Sequence, residues 1–153
     1  MNTFGRPYVE ITTRTAGPKV RDALSVLLLL GIVALTMTTA WIHFSLGGLL
    51  FLLNAAGYTA LATAVAASFA VGIPFVQRLG WLPRLALMGY AAVTIAAWAV
   101  MGPYFQLAYI AKGVEVVLIA VLAVDLYRTY GGPLELIRRA RREVSELRGA
   151  IAS

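Results

Sequence analysis

Lys112 and Glu115 lie three residues apart inside an otherwise apolar run from about Tyr104 to Leu126. On a helix that spacing puts both on one face, where ammonium and carboxylate can pair. Counted from Gly102-Pro103, Lys112 is about eight residues into its run, or ~12 Å at 1.5 Å per residue. Asn54 is about eight residues into another apolar run, which puts its amide at the depth of the ion pair if both runs start on one side. Tyr58, one turn further on, then comes level with Glu115, and Thr36, Thr38 and Thr39 add hydroxyls to the outer half of the first run.

A charge held at mid-membrane costs ~2.5–3.5 kcal/mol on insertion scales, so Lys112 and Glu115 are expected to face a helix-bundle interior and neutralise each other. The pair reads first as a device that fixes helix rotation and register. The rival readings are a proton or ion relay, or a small polar pocket whose ligand engages Lys112, Glu115 and Asn54. A transport path needs polar groups continuing to both faces. Beyond Glu115 the fourth run is apolar until Asp125, which is expected at the far interface.

Other chemistry is thinly represented. Cys is absent, which removes disulfides, Fe–S clusters and thiol catalysis. His43 is the only histidine, so metal or haem ligation needs a second chain, and an interfacial or capping role is expected instead. No nucleophile elbow, phosphate loop or HExxH occurs, and the chain is expected to be neither an enzyme nor a metal protein.

The elements that must position these residues are membrane helices. The chain is 60% hydrophobic and 13% charged with a mean hydropathy of +0.80, well outside the usual range of soluble domains. The formal charge of +6 does not point to nucleic acid, because every Lys and Arg except Lys112 flanks an apolar run. Four runs are long enough for the ~20 residues of a spanning helix, at about 23–44, 46–76, 85–101 and 104–126. The second is long enough to tilt, or to emerge past Pro74. Because lipid cannot satisfy an open backbone, the expected fold is all-α, a four-helix up-down bundle over residues 23–127.

The connections predict the sidedness. The turn near residues 42–48 and the turn at Gly102-Pro103 carry no Lys or Arg, whereas Gln77 to Arg84 carries Arg78 and Arg84. Residues 1–22 contribute Arg6, Arg14, Lys19 and Arg21, and residues 128–153 contribute Arg128, Arg138, Arg139, Arg141, Arg142 and Arg148. The positive-inside rule then puts both termini on the cytoplasmic side of the cell inner (plasma) membrane. Trp41, Trp81, Tyr104 and Tyr127 fall near span ends, as interfacial aromatics do. The first run is expected to be retained as a span rather than cleaved as a signal, since its apolar core is too long.

Small residues recur at helical spacing in the second run, Ala56-Ala60-Ala64 and Ala55-Thr59-Thr63, and are read as close-packing stripes. Gly131-Gly132 can end the fourth helix and Pro133 open another. From there Ile137, Ala140, Val144, Leu147 and Ile151 repeat at 3–4 spacing, with Glu135–Arg139, Arg139–Glu143 and Arg142–Glu146 as expected ion pairs. The tail is therefore expected to be an amphipathic helix, lying first on anionic lipid headgroups, otherwise forming a coiled coil or docking on a partner. The segment Tyr8 to Thr12 alternates like a strand without a partner, and the arm is expected to be disordered.

Two segments, Ile42 through Tyr58 and Ala111 through Ile119, resemble a loose group of small uncharacterised four-span bacterial membrane proteins. The shared features are a His near the first turn (His43), an LLFLLN-type second helix ending in Asn54, and a K-x-x-E in the fourth (Lys112, Glu115). The resemblance implies the four-helix plan and draws the eye to those residues, without implying a mechanism.

The sequence reads best as a non-enzymatic, structural or accessory membrane subunit, packed in a larger membrane complex or a homo-oligomer. The alternative is a small proton, ion or solute transporter built on Lys112, Glu115 and Asn54. An accessory protein for a pigment, quinone or haem stays open.

Overall fold

The computed structural model describes residues 23–152. The arm of residues 1–22, with its basic residues and the Tyr8–Thr12 segment, lies outside the described residues, as do the side chains of Leu147 and Ile151. The described chain is helical: α1 (Ala23–Leu46), α2 (Leu49–Ala70), α3 (Pro74–Arg78), α4 (Trp81–Met101), α5 (Gln106–Tyr130) and α6 (Pro133–Ala152). Four of these, α1, α2, α4 and α5, are long and apolar enough to cross a membrane. Large apolar side chains such as Leu27, Leu30, Val93, Val100, Val116 and Val117 stand exposed along them. That much bare apolar surface suits lipid and not water. The chain is a multi-pass membrane protein.

The four long helices pack as a ring in which α1 contacts α2 and α5, and α4 contacts α2 and α5. The centre is filled by Ile32, Tyr58, Val65, Leu87, Ala91, Leu118 and Leu122, all fully buried. The inward residues recur at 3–4 spacing. On α4 they are Arg84, Leu87, Ala91 and Thr94; on α5 they are Glu115, Leu118, Leu122 and Asp125. Each stripe is apolar in its middle and polar at its ends.

The helix boundaries have local causes. Gly47 and Gly48 take φ of 68° and 81°, values open to glycine and costly for other residues, and these let the chain reverse between α1 and α2. The second apolar run does not continue past Pro74. Proline restricts the residue before it, and Ile73 is accordingly extended (φ −76°, ψ 119°), so α2 stops at Ala70 and Pro74 opens the short α3. The third helix begins at Trp81 rather than near Leu85, which moves Arg84 from a loop into the first turn of α4 and buries it. α5 ends at Tyr130, with Gly131 in the left-handed region, and Pro133 opens α6.

Two surfaces go beyond what the sequence suggested. Packing inside the chain uses Ala55, Tyr58, Ala62 and Val65 of α2, while Ala56, Ala60, Ala64, Thr59 and Thr63 face outward. The tail helix does not stand free of the body, because Glu143 accepts hydrogen bonds from Trp81 Nε1 (3.1 Å), Arg139 Nε (3.2 Å) and Arg78 Nε (3.4 Å). Arg78 also pairs with Glu146, so Arg142 is not that glutamate's partner, and Glu135 pairs with Arg138 (2.6 Å) instead of Arg139. Hydrogen bonding to Glu146 is the main reason the Arg78 guanidinium is held above its ordinary value. Trp81 is buried where α6 docks.

Candidate functional site

Glu115 is the hub of the polar cluster and is 0% exposed. Lys112, one turn earlier on α5, donates to both carboxylate oxygens, at 2.9 Å to Oε1 and 2.7 Å to Oε2. Thr39 of α1 donates to Oε1 at 3.2 Å and Thr94 of α4 donates to Oε2 at 2.9 Å. Thr94 Oγ1 also lies 2.8 Å from the Ala91 carbonyl. With its one proton turned to these acceptors, it receives the Tyr58 hydroxyl proton at 2.8 Å. One carboxylate thus gathers groups from α1, α4 and α5 directly and from α2 through Tyr58. A buried charge so supplied with donors is stable where an isolated one is not.

His43 completes the wall. Its Nδ1–H donates to the Thr39 carbonyl at 2.8 Å, because a carbonyl can only accept. Nε2 is then turned toward Glu115, 3.8 Å from Oε1. The ring packs over Tyr58 (centroids 5.6 Å), which meets Tyr90 edge-on at 4.9 Å. His43 is buried, where the sequence suggested an interfacial cap.

Asn54 does not join the ion pair. α2 turns Ala55 and Tyr58 inward, and at 100° per residue this rotates Asn54 toward α4. Its carbonyl receives the Tyr90 hydroxyl at 3.5 Å, and its half-buried side chain lines a cavity shared with Lys112.

That cavity, of ≈ 390 Å³, opens at the end of the bundle where α1 meets α2 and α4 meets α5. Its walls come from α2 (Leu50, Phe51), α4 (Val93, Ala97, Trp98) and the turn at Gly102-Pro103. The polar residues lining it are His43, Asn54, Tyr90, Thr94 and Lys112, with Glu115 directly behind Lys112. Trp98 Nε1 donates to the Pro103 carbonyl at 3.1 Å, which ties the rim to α4, and Tyr104 and Tyr109 both pack edge-on to that indole.

A second buried polar centre lies at the opposite end. Arg84 Nε donates to Asp125 Oδ2 at 2.6 Å, and its Nη1 donates to the Gly80 carbonyl (2.6 Å) and Ser68 Oγ (3.0 Å). Asp125 is 5% exposed, a buried partner of arginine near the end of α5. Between the two centres Val65, Leu87, Leu118 and Leu122 are fully buried, and no polar side chain bridges them among the described residues.

Reasoning from sequence named Lys112, Glu115, Asn54 and Tyr58 as the polar cluster and His43 apart from it as a possible ligand or interface residue, and missed Thr94, Tyr90 and the Arg84–Asp125–Ser68 set. Thr94 is about seven residues before the end of α4 and Glu115 about nine after the start of α5, a shared depth that helix counting could have exposed. Comparison of the chain with protein-family models, with curated proteins and with solved structures finds no match.

Proposed function

We propose that this protein is a non-catalytic, non-conducting membrane protein that holds a small lipid-soluble molecule at one end of an up-down four-helix bundle. The observation that carries this reading is the cavity of ≈ 390 Å³ with apolar walls and an inner side formed by Lys112, His43 and Thr94. Ligand sites are typically about 300–1,000 Å³, mostly apolar, with a few placed polar groups. The reading belongs to the class of membrane accessory proteins and needs no enzymatic group.

The transporter reading has less support. A path for protons or solute must continue past Glu115, and the buried layer of Val65, Leu87, Leu118 and Leu122 interrupts it. For orientation, Arg78, Arg128 and the α6 arginines share the Asp125 end, whereas both turns at the cavity end are free of Lys and Arg. By the positive-inside rule the Asp125 end and both termini are cytoplasmic, and the cavity opens at the outer leaflet.

Native mass spectrometry of the protein released from mild detergent tests the reading. Wild type is expected to retain a small apolar molecule. Ala97→Trp, which fills the cavity from an exposed position on α4, is expected to lose it. Equal retention by both, or none by either, removes the proposal.

A further inference from the structure

The charge state of the cavity's inner side narrows the ligand's chemistry, taking the binding reading above as its basis. Lys112 brings one positive charge and Glu115 one negative, 2.7 Å apart, so the pair presents no net charge to the cavity. Glu115 is closed to a ligand: it is fully buried and already takes Lys112 on both oxygens, Thr39 on one and Thr94 on the other. A cationic headgroup would meet the ammonium first and find its carboxylate occupied. An anionic headgroup would compete with Glu115 for Lys112 and leave a second negative charge buried beside it without a counterion, which is strongly unfavourable in a low dielectric.

A neutral headgroup meets neither obstacle. An ammonium has three N–H donors, and Lys112 directs hydrogen bonds only to Glu115 among the described residues. At least one donor is therefore available on the cavity side. His43 commits Nδ1–H to the Thr39 carbonyl, and in the tautomer that this bond selects Nε2 is an acceptor. Lys112 Nζ and His43 Nε2 lie 2.9 and 3.8 Å from the same oxygen, Glu115 Oε1, and both residues line the cavity, so a donor and an acceptor stand side by side on its wall. A group that accepts from one and donates to the other is a hydroxyl.

We infer that the cavity binds an uncharged amphiphile through a hydroxyl, an alcohol or a phenol, which accepts from Lys112 Nζ and donates to His43 Nε2. The apolar body of the molecule lies along Phe51, Val93, Ala97 and Trp98 toward the open end.

A matched series of ligands tests this. The full chain in zwitterionic-lipid nanodiscs is titrated calorimetrically with 1-decanol, 4-nonylphenol, decanoate, decylammonium and decane, and the Ala97→Trp protein serves as the blank for partition into lipid. Decanol, nonylphenol or both are expected to bind at least about tenfold more tightly than the other three, the scale of one hydrogen bond to a charged donor. Which of the two binds distinguishes an aliphatic from an aromatic hydroxyl source. His43→Phe is expected to lower the preference for decanol over decane several-fold while decane is unaffected. If decanoate or decylammonium binds best, or decane equals decanol, the hydroxyl assignment is wrong and the binding reading stands. If nothing exceeds the Ala97→Trp blank, the binding reading itself is wrong.

Discussion

Arg84 of α4 bonds Asp125 of α5 at 2.6 Å, and ten residues later on α4 and ten earlier on α5 Thr94 bonds Glu115 at 2.9 Å. The equal intervals, ~15 Å at 1.5 Å per residue, mean that one helix register satisfies both ties. A slip of either helix by a single turn breaks the two together, parting Arg84 from Asp125 at one end and taking the Thr94 hydroxyl from Glu115 at the other. The polar centres therefore lock α4 against α5, and the Leu87, Leu118 and Leu122 layer between them fills the space that the lock defines.

The first prediction concerns the ion pair. Lys112→Met alone leaves Glu115 fully buried with only two hydroxyl donors, and Glu115→Leu alone leaves an ammonium with no carboxylate. Each is expected to cost about 3–5 kcal/mol, the scale of breaking a buried pair. The Lys112→Met/Glu115→Leu double variant is expected to cost less than either single one. Thermal unfolding in detergent, followed by circular dichroism, makes the comparison; a double variant as damaged as the sum of the singles would contradict it.

A second prediction follows at the other end. Asp125→Leu deprives Arg84 of its only carboxylate partner among the described residues but leaves the Gly80 carbonyl and Ser68 hydroxyl in place. The loss is expected to be about 3–5 kcal/mol, and adding Arg84→Met is expected to restore much of it. The same thermal measurement applies, and an unchanged melting temperature for Asp125→Leu alone would show that the pair is idle.

Much of the helical plan was legible in the sequence because it rests on apolar length, on glycine and on proline, all of which act locally. The pairing of Lys112 with Glu115 was legible for the same reason, since both lie on one helix turn. Arg84 was not, because positive charge near a span end ordinarily marks a loop, and only the distant Asp125 makes its burial possible. Asn54 was placed at a sensible depth on the wrong side of α2, because depth follows from counting while rotation follows from which neighbours pack. The docking of α6 was likewise hidden. Glu143 reads as one more helix-surface charge until Trp81 and Arg78 arrive from the α3–α4 corner.

Gly57 supplies a third prediction. An added Cβ there would come within 2.8 Å of Tyr90 Cζ, inside van der Waals contact, on the face where α2 approaches α4. Gly57→Ala is expected to push the Tyr90 ring off the Asn54 carbonyl and off its edge-on contact with Tyr58. The cost is expected to be about 1–3 kcal/mol, typical of overpacking. The control is Gly113→Ala, where nothing lies within 4 Å of the new atom. Equal melting temperatures for the two variants would mean that Tyr90 yields freely.

The last prediction separates two kinds of ion pair in the docking of α6. Arg78 and Glu146 are both well exposed, and such pairs are worth about 0–1 kcal/mol and are screened by salt. Glu143 is only 5% exposed and satisfies the Trp81 indole as well as two arginines, so removing it leaves a buried donor unpaired at about 1–3 kcal/mol. High salt is therefore expected to leave α6 docked, whereas Glu143→Ala is expected to release it. A released helix of this length is marginal in water and frays, exposing Arg141 and Arg142 to trypsin. Cleavage at those arginines in detergent solution is expected to be several-fold faster in Glu143→Ala than in wild type. Glu143→Gln, which keeps an acceptor for the indole, is expected to fall between them. Equal cleavage rates across the three proteins, or rapid cleavage of wild type in high salt, would mean that the surface pair and not Glu143 holds the helix.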